Sequence, residues 1–195
     1  MRSATAERKT SETQIRISID IDGNGRSNIS TGIGFLDHML ELFAKHSRFD
    51  LEVSCMGDTY VDDHHSCEDV GIVLGSALKE ALGDKKGITR YGNIILPMDE
   101  ALVLCACDIS GRSFLAFDAD FPTEKIGSFD TQLVAEFFEA LTRSSGITLH
   151  IKKLAGINSH HIAEAIFKAF ARCMGAACHI DEARKEEIPS TKGVI

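Results

Sequence analysis

Two copies of a His-His-x-x-Glu string stand 96 positions apart in this chain, His64-His65-Ser66-Cys67-Glu68 and His160-His161-Ile162-Ala163-Glu164. Positions three and four apart share a helix face, so each string is expected to aim two imidazoles and a carboxylate at one point. Neutral imidazoles and a carboxylate together bind transition metals, and two strings point to two metals. A lone histidine is more often a core or surface residue than a ligand. Here the coincidence recurs at matching points of a repeated unit and uses four of the eight histidines. Asp62-Asp63, just ahead of the first string, are expected to orient its imidazoles. Cys67 sits out of phase with His64 and Glu68 and is expected to pack rather than ligate. Nitrogen and oxygen donors without a thiolate disfavour a structural zinc and leave manganese, iron, cobalt, nickel and catalytic zinc open.

His38, in GIGFLDHML, adjoins the apolar stripe Leu36-Met39-Leu40-Phe43 and is a further candidate ligand. Sliding the two halves together on their helix stripes puts Glu136 opposite His38. A carboxylate there could preserve coordination, and a solvated helix residue is the even alternative. His46, His150 and His179 lack such partners and default to other roles. A cationic set completes the chemistry: Arg90, Arg112 and Lys168, with Ser190 and Lys192 near the C-terminus. Singly, each reads as a solvated charge. Together, arginine forks, lysines and a hydroxyl are what phosphate oxygens require.

The elements that must position these groups form a repeat. Glu12–Gly23 (ETQIRISIDIDG) and Glu100–Gly111 (EALVLCACDISG) both open on Glu, alternate like a strand and end in Asp-Ile-x-Gly, 88 positions apart. A helix-period segment follows in each half, carrying the His38 stripe or Leu133, Val134, Phe137, Phe138 and Leu141. Next comes a strand, RFDLEVS or GITLHIK, and then a second helix opened by the His-His string. Residues 1–85 and 86–185 are the natural halves, joined at Gly83–Gly87, with a tail over 186–195. Helices segregated from strands predict an α+β fold, each half a small, mostly antiparallel sheet with helices on one face, and the two halves packed as a single pseudo-symmetric domain over 1–195.

At 195 residues and 44% hydrophobic content the chain can bury one substantial core. Its net charge of −8 argues against a general nucleic-acid binder. Nothing approaches the roughly 20 apolar residues of a membrane span. The polar start MRSATAERKTSETQ lacks a secretory signal, so a cytoplasmic location is expected. Six cysteines, Cys55, Cys67, Cys105, Cys107, Cys173 and Cys178, fit no Cys-x-x-Cys spacing and read as reduced thiols.

With these motifs in view, GIGFLDHML, DDHHSCEDVGIVLG, RYG followed by PMDEAL, DISGR, GINSHHIAEAIFKAFAR and PSTKGV resemble the imidazoleglycerol-phosphate dehydratases of histidine biosynthesis over about residues 8 to 195. The resemblance implies a duplicated half-domain of the ribosomal protein S5 domain 2-like kind. It implies two Mn(2+) ions per active site and a 24-subunit shell with sites between subunits. Metal ligands would be His38, His64, His65, Glu68, His160, His161 and Glu164; Glu136 stands where many relatives carry histidine and is an additional candidate. Substrate contacts map to Glu12, Arg90, Arg112, Lys168, Ser190 and Lys192. The implied reaction is a hydro-lyase step, D-erythro-imidazole glycerol phosphate to imidazole acetol phosphate and water, through a metal-bound imidazolate. Glu12 is the first choice for the proton-transferring carboxylate and Glu164 the second. Two rival readings of the residues are a dinuclear metallohydrolase and a metal-storage or metal-assembled protein.

Overall fold

A computed structural model describes residues 2–195. In the first half, β1 (Ser3–Lys9), β2 (Thr13–Asp20), β3 (Ser27–Ser30), α1 (Gly34–Ser47), β4 (Asp50–Gly57) and α2 (His64–Leu82) follow one another. The second half repeats the order with β5 (Tyr91–Met98), β6 (Ala101–Asp108), β7 (Phe114–Asp118), α3 (Gln132–Ser145), β10 (Thr148–Ala155) and α4 (Ser159–Ala177). It adds a small hairpin, β8 (Lys125–Ile126) with β9 (Phe129–Asp130), before α3.

Each half builds one four-stranded sheet, in the order β1-β2-β4-β3 or β5-β6-β10-β7. Pairing is antiparallel except at the parallel edges β3–β4 and β7–β10. The period-2 pattern drives this: Ile15, Ile17 and Ile19 of β2 and Val103, Cys105 and Cys107 of β6 all turn inward and are buried. The helices fill the space between the two sheets. α2 lies on β1 and β2 and packs against α3; α4 lies on β5 and β6 and packs against α1. Phe43, Phe137, Phe138, Phe167 and Phe170 form an aromatic centre where α1, α3 and α4 meet. This is the expected α+β duplication in one shared core.

Within the polar N-terminal segment, Ser3–Lys9 forms a strand. β1 presents mostly exposed residues because it is an outer strand whose ladder with β2 supplies the order. The edge strands β3 and β7 are also weakly patterned, being hydrogen-bonded along one side only. All six cysteines are free and buried. Cys67 packs as expected, its thiol donating to the Leu133 carbonyl at 3.6 Å. Among the described residues no helix is long and apolar enough to cross a membrane.

Candidate metal centre

The second string opens a well-capped helix. Asn158 Oδ1 accepts hydrogen bonds from the backbone N–H groups of His160 (2.9 Å) and His161 (3.3 Å), which fixes the first turn of α4. One turn further on, Glu164 Oε2 lies 3.2 Å from His160 Nε2, the i,i+4 contact the spacing predicts. Packing of α1 on α4 brings in His38, whose Nε2 is 3.8 Å from the same oxygen. The donor atoms of His38, His160 and Glu164 all lie within 4.8 Å of one another, the only such three-residue group found among the described residues. The Phe35 ring meets His160 edge-on at 5.4 Å and limits its rotation.

Glu164 is 8% exposed. Burial pushes its pKa up, but the Lys168 ammonium, bonded to its other oxygen, together with His160 and His38, outweighs burial and holds it below the usual carboxylate value. It is therefore ionised at neutral pH. Two imidazoles and an ionised carboxylate fit a divalent transition metal.

Adjacent histidines do not share a target, which corrects the expectation that each string converges on one point. Neighbouring helix positions are about 100° apart in projection, so adjacent histidines leave the helix in different directions. His160 and His161 rings are 6.2 Å apart at 87°, and His64 and His65 are 6.3 Å apart at 82°. His161 turns to the β5–β6 hairpin, where its Nδ1 lies 2.7 Å from Glu100 Oε2 and its Nε2 3.7 Å from Asp99 Oδ2. His65 turns to the β4–α2 loop and the β1–β2 hairpin, with Nδ1 3.0 Å from Asp58 Oδ2 and Nε2 3.9 Å from Glu12 Oε1. These carboxylates raise the pKa of both histidines, Glu100 acting chiefly on His161 and Asp58 on His65. Glu100 is drawn down in turn to about 2 by His161 and the Asn158 and Ile157 amides. Asp62 does not orient an imidazole as expected; its Oδ1 accepts the His64 backbone N–H at 2.8 Å.

By the repeat, His64 and Glu68 on α2 and Glu136 on α3 correspond to His160, Glu164 and His38. They form no three-donor group here. Glu68 Oε1 accepts instead from Arg143 Nη2 at 3.0 Å, and Glu136 is exposed.

The cationic set divides. Lys168 stands at the His38–His160–Glu164 cluster. Arg90 lies at the other end of α4, its backbone N–H bonded to the Ala177 carbonyl at 2.8 Å. At 1.5 Å per residue, that end is about 26 Å along the helix from His160. There the Arg90 fork holds Asp108 at 2.7 and 3.2 Å, and its Nη1 donates to the Pro189 carbonyl at 2.8 Å. Arg112 Nη2 shares Asp108 at 3.8 Å, and Ser190 Oγ accepts from the Lys192 backbone N–H at 3.2 Å. Arg90, Arg112 and the tail thus form one cluster, one helix length from the imidazoles of the same chain. The residues missed in the sequence are Asp58, Asp99, Glu100 and Asp108. Glu100 had a signal, since it is the repeat counterpart of Glu12.

A family model described as imidazoleglycerol-phosphate dehydratase matches residues 31–174. An imidazoleglycerol-phosphate dehydratase of Xanthobacter autotrophicus is 59% identical over 195 residues, covering 100% of this chain and 99% of the relative. One from Dinoroseobacter shibae is 58% identical, covering 100% of both. Among solved structures, the Staphylococcus aureus dehydratase superposes with a TM-score of 0.84 at 46% identity, covering 92% of this chain and 99% of that one. The Pyrococcus furiosus enzyme does so with a TM-score of 0.83 at 38% identity, covering 97% and 99%. Full-length likeness at these identities, on a duplicated fold with a His-His-Glu cluster between its helices, places the chain in the imidazoleglycerol-phosphate dehydratase family, as a hydro-lyase of histidine biosynthesis.

Proposed function

We propose that this hydro-lyase converts D-erythro-imidazole glycerol phosphate to imidazole acetol phosphate and water with two Mn(2+) ions per active site, in a cytoplasmic 24-subunit shell whose sites lie between subunits. The observation that carries this reading is the split of each His-His pair. His160 joins His38 and Glu164 inside the chain, while His161 and His65 turn outward on carboxylate-held rings. One chain therefore offers one near-complete cluster and several single ligands that need a neighbour. The separation of Arg90 and Arg112 from the imidazoles supports the same arrangement, because an active site built from one chain would leave the phosphate anchors out of reach.

The proton to be removed sits on a carbon without an adjacent carbonyl, so the imidazole ring of the substrate must carry the electron pair as the hydroxyl leaves. His38, His160 and Glu164 would hold a divalent ion, which would supply Lewis acidity to the substrate when bound. Glu12 takes the carbon-bound proton. Its carboxylate makes no hydrogen bond among the described residues and stands 3.9 Å from His65 Nε2, at the edge of the ligand set. Glu164 is the poorer base because Lys168, His160 and His38 already surround it. Arg90, Arg112, Ser190 and Lys192 anchor the phosphate, and the enol left by water loss rearranges to the ketone. Lys168 keeps Glu164 ionised and in place for ligation.

Metal-free protein mixed with imidazole glycerol phosphate should form no ketone product until manganese is restored, with zinc and magnesium added in parallel. Turnover without metal would overturn the metal reading. Release of inorganic phosphate would identify a hydrolase instead.

A further inference from the structure

The two halves hold their outward-turned histidines in chemically equal but structurally different ways. His161 Nδ1 donates to Glu100 Oε2 at 2.7 Å, and His65 Nδ1 donates to Asp58 Oδ2 at 3.0 Å. A neutral imidazole carries one N–H, so a carboxylate accepting at Nδ1 leaves the lone pair at Nε2. Both rings are thereby set to bind through the same atom. Glu100 cannot swing away, because the backbone N–H groups of Asn158 (2.9 Å) and Ile157 (3.3 Å) also donate to it. Its hairpin is thus tied to the loop that begins α4.

Glu12 is the repeat counterpart of Glu100, yet it does not hold Nδ1. Asp58 does so from the β4–α2 loop, and its backbone N–H, bonded to the Glu12 carbonyl at 3.1 Å, ties that loop to the β1–β2 hairpin. The corresponding first position after β10 is Gly156, which has no side chain. The holder has therefore moved from hairpin to loop in one half only.

We infer that Asp58 and Glu100 are positioning residues that fix the Nε2-binding form of His65 and His161, and that the use of Asp58 in the first half is what leaves the hairpin glutamate Glu12 free for proton transfer. This inference rests on the metal-dependent reading above. It gives the two repeat-related glutamates different work: one orients a ligand, the other stands on its Nε2 side.

The test is manganese affinity, read from the electron paramagnetic resonance signal of free aqueous Mn(2+), on full-length wild type and on D58A, D58N, E100A and E100Q. The melting temperature of each metal-free protein is measured in parallel. Losing a carboxylate that orients a ligating histidine typically weakens metal binding by roughly 10- to 100-fold. The alanine variants should show that loss in metal-free proteins that still melt in one cooperative transition, E100A at a lower temperature because its bonds to His161, Ile157 and Asn158 are gone. D58N and E100Q keep an acceptor oxygen but not its charge and should fall between alanine and wild type. If an alanine variant does not fold, the amide variant decides, and wild-type affinity there overturns the inference. Wild-type affinity in folded alanine variants overturns it as well. A wild type that binds no manganese would refute the metal reading itself, which is a different result.

Discussion

Glu100 and Glu12 hold the same place in the two halves, and their surroundings differ. Glu100 is bonded to His161 and two amides, whereas the nearest ionisable partner of Glu12 is His65 Nε2, at 3.9 Å. If Glu12 is the base, as proposed, Glu12→Gln keeps the shape but removes the proton acceptor, and kcat should fall by about a hundred- to ten-thousand-fold while manganese binding holds. Near-normal turnover with normal manganese content would show that another group moves the proton. Glu100 also predicts a pH effect on the metal-free protein. Its pKa is depressed from 4.5 to about 2, so its contribution is present above 4.5 and is lost as pH falls toward 2. The pKa of His161 is raised above 6.5, so its contribution is complete below 6.5 and is lost as pH rises through the folded value. The pair is therefore fully formed between these limits. E100Q should lose less stability than wild type between pH 4.5 and 2 in acid denaturation; parallel curves would contradict the assignment.

The helices pack in two pairs, α1 with α4 and α2 with α3, and each pair depends on close backbone approach, as where Gly175 of α4 meets the Ser47 carbonyl of α1. At the α2–α3 crossing, Gly71 and Gly75 make that approach: an added Cβ would lie 2.7 Å from the Phe137 carbonyl oxygen and 2.5 Å from that of Leu141. Both obstacles are backbone, so G75A must push the helices apart. We expect it to cost about 1–3 kcal/mol in urea unfolding, as overpacked cores do; an unchanged midpoint would show that the crossing relaxes freely. Periodicity made the helices and inner strands legible, because each buries a regular face. β1, β3 and β7 escaped because each lends the core only one or two half-buried apolar side chains, Ala4 and Ala6, Ile29, and Leu115 and Phe117. The i,i+4 partnership of His160 with Glu164 was likewise legible. The divergence of His161 was missed by treating adjacent residues as one face, and Asp58 was missed because only tertiary packing brings its loop to His65. Repeat alignment correctly placed Glu136 opposite His38, but Glu136 is exposed on α3 in the single chain.

At the scale of the whole molecule, one chain holds the His38–His160–Glu164 cluster and the Arg90–Arg112–tail cluster apart. The Arg90–Arg112–tail cluster lies about 26 Å along α4 from His160, at 1.5 Å per residue. Arg90 grips the tail through the Pro189 carbonyl, so deleting Pro189–Ile195 should remove Ser190 and Lys192 and loosen Arg90 at once. Losing charged hydrogen bonds worth about 1.5–3 kcal/mol each should raise KM by at least tenfold. An unchanged KM would remove the tail from the phosphate site. If the pieces meet only between copies, two separately inactive variants should repair one another. E164Q damages the imidazole cluster and R112A the Arg90–Arg112–tail cluster. Co-assembled in equal amounts, they should recover activity at roughly a quarter of the sites, those that receive both intact pieces from different subunits. Activity no greater than that of the two variants assayed apart would mean that each chain builds its own site, and would contradict the shared active site.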